Sequence, residues 1–197
     1  MSTVFIKEYA APEVDIREVL RYVGVRDMAP DMVVLANDCL AEVREQLAYR
    51  VCYTELALSR ESDGTLDLGF ARVRSTSLSA RLAGCDRIIV FAATVGLPID
   101  RLIARYGTLS PSRAIMLDAL GAERVEALCD VFCRDIVEGT GRQVTARFSP
   151  GYGDLALSLQ RDIFMALDVP RRIGVSLGNS LLMSPSKSVT AIMGIKS

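Results

Sequence analysis

A chain of 197 residues, half of them apolar, is long enough to bury one substantial core and too hydrophobic to stay disordered. Its 23 Lys and Arg balance 24 Asp and Glu to a net charge of −1 and form no basic run, which removes the electrostatic reason to expect a nucleic-acid partner. There is no histidine, so Ser-His and Cys-His nucleophiles are impossible and the commonest general base is missing.

The N-terminus through Lys7 lacks a signal peptide's apolar region, and no apolar run approaches the ~18 residues of a membrane span. A cytoplasmic protein with no membrane partner is expected. Positions 4–9 predict a short strand. Pro12 is expected to open an amphipathic helix through Val14, Val19, Leu20 and Val23 that ends near Gly24. A longer helix is expected from Pro30 to about Ala48, with Glu42, Arg44 and Glu45 on its solvated side. Positions 51–58 and 66–73 are β-rich and joined through Ser62-Asp63-Gly64, which predicts an antiparallel pair; Glu55 is read as a solvated strand-face carboxylate.

A short helix from Thr76 carries Leu78 and Leu82 to Gly84, and the apolar run 87–93 predicts a buried central strand. Thr94-Val95-Gly96 then turns the chain into a helix at 97–106. Ser110-Pro111 starts the most regular stretch, where Leu117, Leu120, Val125, Leu128, Phe132 and Ile136 make a core stripe, with a bend near Gly121. Gly139-Thr140-Gly141 follows a helix instead of a strand, so it terminates that helix and is not a dinucleotide loop; a Rossmann-type methyltransferase is disfavoured. Pro170 is expected to break a later helix, with extended structure at 173–177 and 188–195. The five cysteines, Cys39, Cys52, Cys85, Cys129 and Cys133, are odd in number and lack framework spacing, so they read as small buried hydrophobes and no metal site is assigned. Hairpins and helices alternate without a βαβ period, which predicts an α+β fold: a single domain over 1–197 with a bent, mostly antiparallel sheet flanked by helices.

Arg147-Phe148-Ser149-Pro150-Gly151-Tyr152-Gly153-Asp154 combines a fixed charge, two glycines and an aromatic in one turn. In 142–148, Val144, Ala146 and Phe148 alternate with Gln143, Thr145 and Arg147, the period of a half-buried strand that puts Arg147 on the polar face. Leu155, Leu159, Ile163 and Leu167 follow at four-residue spacing, with Asp154 where an N-cap belongs. A strand, a glycine turn and a helix start together offer amides and a guanidinium to an anionic group. Turn chemistry alone favours the plainer account, an ordinary surface turn at Pro150-Gly151 with Arg147 an ordinary surface cation.

The motif Arg147-x-x-x-Gly151-Tyr152 resembles the Arg-x-x-x-Gly-Tyr signature of the activation (reactivation) domain of cobalamin-dependent methionine synthase. Leu157-Ser158-Leu159-Gln160, Ile173-Gly174-Val175-Ser176-Leu177 and the block from Met183 to Ala191 resemble the same family in the same order, so the likeness covers about 147–195. Gly178-Asn179-Ser180 stands where the fused enzymes usually carry Thr-Glu-Ser, and Gly153-Asp154-Leu155-Ala156 replaces a Cys-Pro-Asp-His. The resemblance implies that the chain binds S-adenosylmethionine, with Arg147 on its carboxylate and Ser149, Gly151 and Tyr152 wrapping it. It further implies a cobalamin presented by a partner, because no Asp-x-His-x-x-Gly motif occurs here. That partner is expected to be a methionine synthase lacking its own activation domain, or a related corrinoid methyltransferase, with flavodoxin or ferredoxin as reductant. Two further readings stay open: a non-catalytic S-adenosylmethionine-binding protein, or a structural subunit of a corrinoid methyltransferase complex. Lys187 is read as capping a turn, with contact to a partner as the alternative.

Overall fold

The computed structural model describes residues 3–25 and 28–196. Met1, Ser2, Arg26, Asp27 and Ser197 lie outside the described residues, and with Met1 and Ser2 the start of the stretch read for a leader. The strands are β1 (Phe5–Tyr9), β2 (Tyr49–Ala57), β3 (Ser59–Arg60), β4 (Leu66–Asp67), β5 (Arg72–Val73), β6 (Cys85–Thr94), β7 (Ser176–Leu177), β8 (Met183–Ser184) and β9 (Ser188–Lys196). The helices are α1 (Ile16–Val23), α2 (Pro30–Val43), α3 (Thr76–Arg81), α4 (Pro98–Leu109), α5 (Pro111–Thr140), α6 (Leu159–Leu167) and α7 (Val169–Ile173).

An antiparallel sheet in the order β1-β2-β6-β9 divides the molecule, with helices on both faces. The α+β expectation holds. β6 is central because its apolar run feeds both faces. Ile89, Phe91 and Ala93 enter one core with α1, α2, α4 and α5, while Ile88, Val90 and Ala92 enter the other with α3, α6 and α7. Phe132 of α5 anchors the first core, its ring 4.8 Å from that of Phe91 and 5.1 Å from that of Tyr53. No helix among the described residues is long and apolar enough to cross a membrane.

Local chemistry moves several boundaries. α1 starts a turn later than Pro12 because the Asp15 carboxylate accepts the Arg17 and Glu18 amides at 2.9 and 3.3 Å; it ends at Gly24, φ 88°. α2 stops at Val43 and runs on as a 3₁₀ turn over 44–46. Its Glu42 is not simply solvated: it accepts hydrogen bonds from Tyr106 Oη and Arg113 Nη2, each at 2.9 Å. Glu55 is paired across the sheet with Arg87. The predicted pairing of 51–58 with 66–73 is replaced by a different one. β2 pairs with β1 and β6, and the chain beyond it breaks into the small sheet β3-β4-β5. There Asp63 and Asp67 accept the Thr65 and Gly69 amides at 2.9 Å and fold the chain too tightly for long strands.

α5 runs unbroken through Gly121, which serves packing instead of a bend: a Cβ there would lie 2.7 Å from Lys187 Cγ. Gly141, φ 66°, ends it. The later helix, α6, does end before Pro170, at Leu167, but Pro170 then sits in the first turn of a further short helix, α7, and extended chain returns only at Ser176.

Candidate functional site

The segment 142–148 runs along the outer edge of β9 as an irregular fifth strand. Val144 bridges Ile195 and Phe148 bridges Ile192, so the four steps from 144 to 148 face three from 195 to 192. One residue is extra, a β-bulge. It reverses the alternation: Val144 packs into the α5-side core, whereas Phe148 packs into the opposite one and Ala146 is exposed. The expectation that Val144, Ala146 and Phe148 share a face is therefore corrected. Arg147, pointing opposite to Phe148, is delivered to α5 and not to a solvent-facing strand surface.

There its side chain is 22 % exposed, and Nη2 lies 2.8 Å from Glu126 Oε2 and 3.0 Å from Asp130 Oδ1. Nη1 is buried and, among the described residues, has no hydrogen-bond partner. The guanidinium thus retains a desolvated donor. Burial pushes the Cys129 and Cys133 thiols up, with the opposing influence of Arg147 too small to reverse it. Both stay protonated at neutral pH, which makes them poor nucleophiles beside the guanidinium.

The turn after Arg147 closes on itself. The Tyr152 amide donates to the Ser149 carbonyl at 3.2 Å, Gly151 to Leu155 at 2.8 Å, and Leu155 to Tyr152 at 3.0 Å. Gly151 has φ 94° and Gly153 φ 54°; a Cβ on Gly153 would stand 2.6 Å from Ser77 Oγ. That close approach brings Asp154 against α3. Its carboxylate accepts from Ser75 Oγ at 2.5 Å, the Thr76 amide at 2.6 Å and the Ser77 amide at 3.1 Å. These donors, the Ser75 hydroxyl first, hold the Asp154 carboxyl well below the usual carboxylate range. Asp154 caps α3, 78 residues away from Thr76 in sequence, instead of the helix that follows it, and that helix starts only at Leu159. Leu155, Leu159, Ile163 and Leu167 are nonetheless all buried.

Of the other positions singled out from sequence, Ser149 is half-buried, Gly151 is exposed and Tyr152 is 67 % exposed. Lys187 does not cap a turn: its ammonium lies 2.7 Å from Asp118 Oδ1 and its stem lies over Gly121.

Sequence reasoning missed an acidic cleft that shares Glu126 and Asp130 with the Arg147 ion pairs, although Arg147, Ser149, Gly151 and Tyr152 do not themselves line it. A cleft of about 510 Å³ between the start of α1 and the middle of α5 is lined by Glu13, Asp15, Glu18, Glu123, Glu126 and Asp130, with Arg134 as the one lining cation among the described residues. A volume of that size suits a small molecule. Glu126 and Asp130 belong both to this lining and to the Arg147 ion pairs. The signal was present: positions 123, 126, 130 and 134 recur at helical spacing on one face of α5. Among the described residues no group of three or more His, Cys, Asp or Glu side chains is placed to hold a metal ion.

No family model and no curated protein matches the sequence. Among solved structures, the chain is similar to a crystal structure of the MetH reactivation domain bound to AdoHcy, at 18 % identity and a TM-score of 0.72, over 98 % of this chain and 78 % of that one. The chain therefore has the fold of the MetH reactivation domain, the fold that the Arg-x-x-x-Gly-Tyr resemblance implied.

Proposed function

We propose that this chain is a stand-alone activation module, acting in the cytoplasm, that binds S-adenosylmethionine and supports reductive methylation of a cobalamin held by a separate protein. The observation that carries the reading is the Arg147 guanidinium, whose buried Nη1 meets no oxygen acceptor among the described residues, bound through Nη2 to two carboxylates that line a cleft of about 510 Å³. S-adenosylmethionine carries a carboxylate at one end of its amino-acid tail and an ammonium and a sulfonium close by. A guanidinium next to a carboxylate-lined cleft complements that charge pattern. Arg147 takes the ligand carboxylate, Glu126 and Asp130 face the cationic groups, and Ser149, Gly151 and Tyr152 form the flank. The likeness to a domain that holds AdoHcy, the demethylated form of the same donor, supports this choice of ligand.

Transfer of a methyl group from a sulfonium to a reduced cobalt moves no proton, so the lack of histidine is no obstacle and the protein's contribution is positioning. The cobalamin and a small electron carrier supply the redox chemistry. The partner on this reading is a methionine synthase lacking its own activation domain, or a related corrinoid protein, in methionine biosynthesis, with a flavodoxin or ferredoxin as the electron source. Titration calorimetry with S-adenosylmethionine should show saturable binding. Mixing the chain with an oxidised cobalamin protein, a reductant and the donor should raise methylcobalamin absorbance above a control without the chain. Saturable binding with no rise would leave a binding protein without an activation role. A second reading, a structural subunit with no ligand, is favoured by the two carboxylates that already engage Arg147; absence of binding would select it.

A further inference from the structure

The floor and one wall of the cleft are joined by a buried ion pair that no ligand contact requires. Glu123 and Arg124 are consecutive on α5, and both are almost fully buried. Arg124 Nη1 donates to the Pro12 carbonyl at 2.6 Å and Nη2 to the Glu13 carbonyl at 2.6 Å, while Glu123 Oε1 accepts the Asp15 amide at 3.1 Å. The two side chains also bind each other through Nε and Nη2 at 2.5 Å. Three backbone groups of the segment leading into α1 are therefore fastened to the middle of α5. That segment carries Pro12, Glu13 and Asp15, which form the wall facing Glu126 and Asp130.

Two consecutive charges buried in one helix are a poor way to gain stability alone, because their desolvation offsets most of their attraction. Their geometry is directional: planar guanidinium to two carbonyls, carboxylate to one amide. Loop residues ahead of a helix are also the kind of backbone that otherwise moves against its scaffold. We infer that Glu123 and Arg124 are positioning residues that set the width of the cleft by holding residues 12–15 against α5, so that Glu13 and Asp15 meet a ligand at fixed distance from Arg147. This rests on the reading that the cleft is the S-adenosylmethionine site.

The 197-residue chain, Glu123→Gln, the double variant Glu123→Met/Arg124→Met and a control, Leu167→Ala, which thins the core on the other face of the sheet, would be compared by peptide hydrogen exchange without ligand and by calorimetry with S-adenosylmethionine. The double variant keeps the volume filled where the single one fails to fold. Loss of the clamp should speed exchange over 12–18 by about tenfold while 88–93 stays unchanged, and should weaken binding by about tenfold. Leu167→Ala should lower the melting temperature and leave affinity at the wild-type value. Unchanged exchange over 12–18 overturns the inference, as does faster exchange with wild-type affinity. No binding by the wild-type chain instead removes the site reading, and the positioning claim falls with it.

Discussion

Replacing Arg147 with Met separates recognition from stability. Methionine keeps most of the apolar stem and removes the charge. The folded chain then loses ion pairs to Glu126 and Asp130, side chains 44 % and 61 % exposed, and pairs of that exposure contribute roughly 0.2–1 kcal/mol each. Against this, the buried Nη1, which has no oxygen acceptor among the described residues, no longer has to be desolvated, a relief of about 1–3 kcal/mol. The terms nearly cancel. Stability should stay within about 1 kcal/mol of wild type, a shift of roughly 2–4 °C in melting temperature for a chain of this length. Binding behaves differently, because a charge-assisted contact to the ligand carboxylate of about 1.5–3 kcal/mol is lost outright. Calorimetry should record S-adenosylmethionine affinity falling roughly 10- to 150-fold. An unchanged dissociation constant would refute the assignment of Arg147. So would a fall in melting temperature above about 8 °C with affinity intact, since the guanidinium would then be a structural fastener.

The Asp154 carboxyl is held below its unfolded range, so the stability it contributes is present above pH ~4 and is lost as pH falls through the folded pKa; acid titrations of Asp154→Asn should show a shallower decline below pH ~4 than wild type, and parallel curves would contradict the cap. Gly153→Ala places a Cβ against Ser77 at φ 54° and should cost about 2 kcal/mol in urea unfolding; a cost under ~0.5 would mean that the turn is looser than it looks. Gly194→Ala drives a Cβ to 2.5 Å from Cys85 Sγ and 2.9 Å from Leu82 Cδ2, so about 1–3 kcal/mol should be lost, with recovery in the Cys85→Ala background as the check. Phe132→Ala empties the ring cluster with Phe91 and Tyr53 and should cost about 3–5 kcal/mol by chemical denaturation, a large share of the ~5–15 kcal/mol that holds such a domain.

What was legible in the sequence were the elements whose burial is dictated by their own pattern. The run from Ile88 to Ala93 is apolar at every position because both faces of β6 are covered, and the stripe from Leu117 to Ile136 follows the helical period because α5 lies on one of those faces. What escaped depended on partners distant in the chain. Asp154 reads as the cap of the next helix, since nothing in the sequence reveals that Gly153 lets it approach Ser75 and Thr76. Glu123, Glu126 and Asp130 were not singled out in the sequence, and they line a cleft only because the segment ahead of α1 is held opposite them. The bulge had no compositional mark at all: Thr145, Ala146 and Arg147 include no glycine, and alternation is counted on the assumption that no residue is extra.

Two features of this turn are receptive to an anion, and they differ in how firmly the chain already satisfies them. The N-terminal amides of α3 are taken by Asp154, whose carboxylate accepts from three donors at once and is correspondingly hard to displace. The guanidinium of Arg147 is taken by two half-exposed carboxylates that regain water as soon as they let go, and it keeps a buried donor that neither of them reaches. Exchange for an outside carboxylate is therefore inexpensive at Arg147 and costly at α3. The same step releases Glu126 and Asp130 into the cleft as negative charges just where a cationic group of the incoming molecule would sit. On the proposed reading, a zwitterionic amino-acid tail bearing an extra positive charge would satisfy both halves of that exchange, whereas a simple anion such as phosphate would satisfy only the first, so a phosphate titration that matched S-adenosylmethionine in affinity would count against that reading.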